Sequence, residues 1–353
     1  MKALARLAMA VIAALLAQSA LAGEGGFGMG LRQASWVDAT RGIKAAMGFA
    51  GADTRRLDVM VWYPAAVSGE DAVADAPVAP GGPWPLVIYS HGTNGHAGNA
   101  MHIVRDLVRH GYVVAAPDYP LSSSRAFTRI RMTDTSDVIN QVKDVHFLID
   151  RLLADPVLAP AIRPEAIGIT GHSLGGVTSY FATYGASVRE PRVKAVAMIA
   201  PGDPVQTALA NGMGMWGMQH AAVSVPALFL TAEKDIFART TGRPWAAYER
   251  VEGPKAQVLI RRGAHVWFHD GDEQPAGNRN PDCLFFDRNM PGVAMPGCEE
   301  RVRLIGAARQ QALTRTALRA FFDGYLKGDA RAVARLRGMG RKDRDVEVRF
   351  EEK

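Results

Sequence analysis

Short apolar runs recur along the chain, separated by longer stretches whose apolar residues return every three or four positions. The runs are LDVMVWYP (57–64), PLVIYSHG (85–92), YVVAAPDY (112–119), AIGITGHS (166–173), VKAVAMIA (193–200), VPALFLTA (225–232) and AQVLIRRG (256–263). Most are rich in Val, Ile and Leu and uninterrupted by charge, as central strands covered on both faces should be. Helical spacing runs through Asn99–Arg109, Ser136–Leu153, Leu174–Tyr184 and Arg301–Leu326. In the second of these, Ile139, Val142, Val145, Leu148 and Leu152 fall along one broad stripe. This alternation predicts an α/β fold, with a mostly parallel central sheet and helices on both faces. There is no internal repeat and no second run of alternation. Residues 23–326 therefore read as one domain, followed by a basic tail at 327–353 that either adds a helix and a short strand (VEVRF) or is mobile. Residues 66–84 read as a surface loop. Less regular segments at 120–135, 201–222 and 269–300 lie where open α/β sheets carry their ligand sites.

The first 22 residues break the pattern. Lys2 and Arg6 precede the apolar LAMAVIAALLA, and Ala20-Leu21-Ala22 offers small residues to a signal peptidase. This predicts a signal peptide cleaved after Ala22 and a secreted or periplasmic mature chain. The apolar run is too short for a stable membrane span. Export removes the reducing buffer, so the two cysteines, Cys283 and Cys298, are expected to form a disulfide. They lack the histidine spacing of a zinc site, and HDGDEQPAG (269–277) lacks the remaining ligand pattern of a calcium loop. No metal and no cofactor is expected. Removing Lys2 and Arg6 takes the formal charge from +6 to 6 − 2 = +4. Much of the basic excess lies in the tail, without interleaved aromatics, which argues against nucleic-acid binding. Nothing in the sequence sets an oligomeric state.

Candidate chemistry centres on Gly171-His172-Ser173-Leu174-Gly175, a G-x-S-x-G with a strand pattern before it and a helix pattern after it. Such a turn forces its central residue into a strained conformation and presents the serine oxygen clear of the backbone. A serine hydroxyl needs a base, and the base an orienting acid; in this architecture they follow in the order Ser, acid, His. His265, just after the last apolar run, is the expected base, ahead of His220 and His269. Asp235, past LFLTAEK, is the expected acid, and Asp203 in MIAPGDP is the rival. The oxyanion hole needs backbone N–H donors. Leu174 should give one and Thr93, in YSHGTNGHAG, the other, with Gly92 close behind. His91 reads as shaping that loop. Met213, Met215, Trp216 and Met218 can line an acyl groove or pack on the sheet, with Ser122–Arg131 as an opposite wall.

PLVIYSHG, HFLIDRLL, IGITGHSLGG, VPALFLTAEKD and GAH, in that order, resemble an α/β-hydrolase over roughly residues 57–325. Within that fold the chain resembles the branch holding platelet-activating-factor acetylhydrolases, dienelactone-hydrolase-like proteins and polyester-degrading cutinases. The resemblance implies a serine esterase acting on a small-molecule, lipid or polyester ester. A matching acid in the polyester hydrolases favours Asp235, whereas the acetylhydrolases keep Asp203 open. His172 and Leu174 stand where polyester hydrolases usually carry Trp and Met, and Ser173 stands where dienelactone hydrolases proper use cysteine. An amidase or peptidase, and a catalytically silent binding protein, are the other readings.

Overall fold

The structure, a computed structural model, describes residues 26–46, 48–128, 134–204, 206–207, 219–237, 245–289, 292, 294–299 and 301–352. The expected signal peptide, the Met213–Met218 groove and part of the Ser122–Arg131 wall lie outside them. The seven apolar runs all form strands: β2 (Arg55–Ala65), β4 (Trp84–Ser90), β5 (Val113–Asp118), β6 (Ile162–His172), β7 (Val193–Ile199), β8 (Ala227–Ala232) and β9 (Lys255–Ile260). Three more join them: β1 (Gly28–Asp38), β3 (Ala72–Ala74) and β10 (Val346–Glu351). The sheet runs β10-β9-β8-β7-β6-β4-β5-β2-β1-β3. Strands β5, β4, β6, β7, β8 and β9 are parallel. β2 and β1 extend one side antiparallel, and β10 the other.

The helices are α1 (Met101–Arg109), α2 (Val138–Ala154), α3 (Leu174–Tyr184), α4 (Trp245–Arg250), α5 (Asp282–Asn289), α6 (Ala307–Leu326) and α7 (Ala330–Lys342). α2 and α3 cover one face of the sheet, where Val142, Leu148, Val177 and Phe181 meet Leu86, Ile88 and Ile169. α1 and α6 cover the other, where Val104, Leu107, Leu318 and Phe322 meet Val87, Tyr89 and Ile199. Both faces of each central strand are thus buried, which is why the runs are apolar without alternation. At about 1.5–3 kcal/mol per fully buried aliphatic or aromatic side chain, this packing holds the strand ends, and the loops they carry, in fixed register.

Two regions go beyond the sequence pattern, and a third, the basic tail, takes the helix-and-strand alternative. β1 pairs with β2 along its whole length, from Gly28 opposite Ala65 to Asp38 opposite Arg55, yet GMGLRQASWVD is mixed because much of the strand is exposed. Within 66–84, β3 pairs with β1. In the basic tail, α7 packs on α6 and β10 pairs with β9, Val346 opposite Ile260, so this segment completes the sheet. Its basic residues are partly neutralised, with Arg337 bonded to Glu352 and Arg335 to Asp329. One buried charge is structural: Arg55 on β2 pairs with Asp137 and Asp144, each at 2.7 Å. Among the described residues, no helix is long and apolar enough to cross a membrane.

Candidate active site

β4 leads to β5 on one side, and β6 follows on the other, so the connections diverge between β4 and β6 at the carboxyl edge of the sheet. Ser173 stands there, between β6 and α3, with φ 53° and ψ −118°. Its N–H donates to Ile199 O at 2.9 Å, which fixes the bend against β7. The flanking glycines are obligatory. A Cβ at Gly171 would lie 2.3 Å from Gly175 O, and one at Gly175 would lie 2.0 Å from Ser90 O. Strand, turn and helix therefore approach one another more closely than any side chain allows, and the positive φ of Ser173 is the strained consequence.

β8 and β9 carry the partners. Asp235 follows β8 and His265 follows β9, both almost fully buried. His265 Nδ1 lies 2.7 Å from Asp235 Oδ2. Burial alone would lower the His265 pKa, but the charge and hydrogen bond of Asp235, with Asp282 behind it, raise it above the ordinary histidine value. The Nδ1–H therefore faces the carboxylate, leaving Nε2 to accept a proton. The Asp203 carboxylate accepts from Gln206 N at 3.0 Å, turning the chain after β7. His220 bonds Tyr180 Oη at 2.9 Å and stacks on Tyr184. His269 accepts from Gly271 N at 3.0 Å.

The loop after β4 closes over Ser173, and a Cβ on Gly92 would come within 3.1 Å of the Ser173 Cβ. His91 shapes this loop. Its Nδ1–H donates to Gly92 O at 2.8 Å and its Nε2 accepts from Tyr119 N at 3.1 Å. Gly92 O also accepts from Gly95 N, and Asn94 N donates to Ser122 O. Among the described residues, the Thr93 and Leu174 amides have no hydrogen-bond partner. Leu174 is the first residue of α3, whose opening N–H groups have no carbonyl a turn behind them.

The model of the family described as serine aminopeptidase, S33, matches residues 82–217, the segment from the loop before β4 to beyond Ser173. A ferulic acid esterase from Streptomyces cinnamoneus superposes with a TM-score of 0.61 at 24% identity, over 92% of this chain and 96% of that one. The chain has the α/β-hydrolase fold. No curated protein matches it.

Ser173 opens onto a cleft at the carboxyl edge of the sheet. Here Ser173, His265 and Thr93 share a cavity of about 410 Å³ with Phe237, Leu284 and Phe285. No hydrogen bond joins Ser173 to His265; such contacts often tighten only when substrate is bound. The Phe237 ring packs on the His265 ring with centroids 4.3 Å apart. At the mouth, exposed Arg288 and Glu273 pair at 2.6 Å. Leu284, Phe285 and Arg288 come from α5, in the segment that also holds the Cys283–Cys298 disulfide. Asp270, in the stretch weighed for calcium, instead accepts from Met101 N and His102 N at the start of α1.

Two residues of this site have contacts that sequence reasoning misses. His172 is buried, and its Nε2–H donates to His265 O at 3.1 Å, tying the elbow to the histidine loop. Burial, with His265 and His269 nearby, keeps it neutral. Asp282 is fully buried beneath His265. Both act on backbone groups distant in sequence, and such partners leave no residue pattern to find.

Proposed function

We propose that this chain is a serine hydrolase of carboxylic esters, with Ser173 as nucleophile, His265 as base and Asp235 as the orienting acid. The observation that carries this reading is the buried His265–Asp235 pair at 2.7 Å beside the cavity that Ser173 lines. Ser173 Oγ attacks the ester carbonyl carbon while its proton passes to His265 Nε2. The C=O bond electrons move to oxygen, and the Thr93 and Leu174 N–H groups receive the resulting oxyanion. The imidazolium then gives its proton to the departing alkoxide, leaving an acyl-Ser173. Water, deprotonated by the same imidazole, attacks the acyl carbon; the bond to Ser173 Oγ then breaks, Oγ takes back the imidazolium proton, and the acid is released. Asp235 holds the imidazole in the Nδ1–H tautomer and stabilises its charged form.

The apolar wall of Phe237, Leu284 and Phe285 favours an ester with an apolar or aromatic group, of small-molecule, lipid or polyester origin. Likeness to a ferulic acid esterase supports an ester. The family model, described as serine aminopeptidase, supports amide cleavage as a second reading. An aminopeptidase must bind a terminal ammonium, and Glu273, the one acidic side chain on the cavity wall among the described residues, is engaged by Arg288. The ester reading is the better one on that ground. Export with cleavage after Ala22 belongs to it, supported by the disulfide; the intact mass of the exported chain tests that step.

The deciding experiment compares p-nitrophenyl acetate, butyrate and palmitate with an anilide, on wild type and Ser173→Ala. Ester turnover lost by at least about a thousandfold in Ser173→Ala supports the reading. Anilide cleavage that outruns ester cleavage supports the peptidase, and no turnover of either supports a silent scaffold.

A further inference from the structure

We infer that Asp282 is a positioning residue, which clamps the loop carrying Asp235 to the loop carrying His265 from the disulfide-held segment outside the strand–helix core. This rests on the serine-hydrolase reading above. The Asp282 carboxylate is fully buried and accepts three backbone N–H groups. Oδ2 takes Ile236 N at 3.2 Å and His265 N at 3.1 Å, and Oδ1 takes Val266 N at 3.0 Å. Ile236 adjoins Asp235, so one carboxylate grips the backbone of both the acid and the base. The grip is itself anchored. Asp282 N donates to Asn280 Oδ1 at 3.0 Å, and Asn280 Nδ2 donates to Lys234 O at 2.6 Å, on the same loop as Asp235. The next residue, Cys283, is bonded to Cys298, and both pack with Ile236 and Phe286.

The physical need is geometric. A triad bond of 2.7 Å survives only while two loops from two strands keep their spacing, and functional groups tolerate displacements of about 0.5 Å. An ionised carboxylate accepts at up to about four sites with no donor of its own, so it can receive converging N–H groups from both loops. Asparagine cannot: its NH₂ would face an N–H, leaving two donors opposed. The charge also matters. Burial first, and then repulsion from Asp235, push the Asp282 pKa up to about 6. The groups facing the His265 ring are Asp235, Asp282, His172 and His269, and Asp282 is one of the two that favour the imidazolium.

The test is Asp282→Asn beside Asp282→Glu, with p-nitrophenyl butyrate from pH 5 to 9. For Asp282→Asn the expected result is a kcat lower by about 10- to 100-fold, since a shift of about 1 Å costs that much. KM should stay within about threefold, and the acid limb should move to lower pH. Asp282→Glu, which keeps the charge, should leave the limb in place. A kcat within about twofold of wild type and an unmoved limb in Asp282→Asn would overturn the inference. A second measurement needs no variant and no turnover. In wild type with ¹⁵N-isoleucine and ¹⁵N-valine, the Ile236 and Val266 amides should shift together with one midpoint. If one titrates while the other stays still, the clamp does not exist. Wild type without ester turnover sinks the hydrolase reading alone and leaves the amide titration to judge the clamp.

Discussion

Replacing Asp235 by asparagine is the perturbation with the most calculable effect. The carboxylate lies 2.7 Å from His265 Nδ1, and the two residues are 3% and 4% exposed, so water cannot stand in for the lost charge. In the proposed mechanism Ser173 loses its proton to His265, and a buried imidazolium forms. Two unit charges with centres about 4 Å apart interact by about 4 kcal/mol at an effective dielectric near 20, equivalent to about a thousandfold in rate. Asparagine also offers an N–H toward Nδ1 and can favour the wrong tautomer, which adds to the loss. Steady-state hydrolysis of p-nitrophenyl butyrate should therefore show kcat down by about 10³ or more in Asp235→Asn. Asp203→Asn, altering a turn at Gln206 instead, should stay within about fivefold. An Asp235→Asn enzyme within tenfold of wild type, or a greater loss in Asp203→Asn, would refute the assignment of the acid.

His265 must be neutral to accept the serine proton. Although burial alone lowers its pKa, Asp235 raises it further, above 6.5. The kcat/KM profile should therefore fall as pH drops through a midpoint above 6.5, and Asp235→Asn should move that limb downward; a wild-type midpoint below 6 would contradict this. Cys298→Ser opens a 15-residue separation, worth about 3 kcal/mol in the chain-entropy model. Calorimetry should show the melting point lower by roughly 5–10 °C, and an unchanged midpoint would deny the disulfide that role. Gly175→Ala places a Cβ 2.0 Å from Ser90 O, so the variant should be insoluble or at least about a hundredfold less active. Wild-type activity and melting in that variant would mean the elbow is not as close-packed as described.

Much of the fold is legible in the sequence because central parallel strands are buried on both faces and announce themselves as apolar runs. β1 does not, since residues such as Arg32, Gln33 and Ser35 line a partly exposed strand. β10 is legible only as one of two alternatives for the tail, because it is charged and its partner β9 lies far back in the chain. At the site, Ser173 is readable because its glycines are sterically required, and His265 because few histidines follow it. The choice between Asp235 and Asp203 depends on which loop reaches the imidazole, a matter of tertiary geometry to which residue spacing is blind. Asp282 was hidden for a different reason: its partners are backbone N–H groups, which every residue but proline possesses. His172 was visible only as an unusual neighbour of the serine, while its bond to His265 O needs the folded loop.

The central claim is that Ser173 is a hydroxyl made nucleophilic by the His265–Asp235 pair. Covalent labelling with a fluorophosphonate, followed by peptide mass spectrometry, tests it most directly. One adduct on the peptide containing Ser173 is predicted, absent in Ser173→Ala and formed at least about a hundredfold more slowly in His265→Ala. Equal labelling of wild type and Ser173→Ala, or a rate unaffected by His265→Ala, would contradict the account.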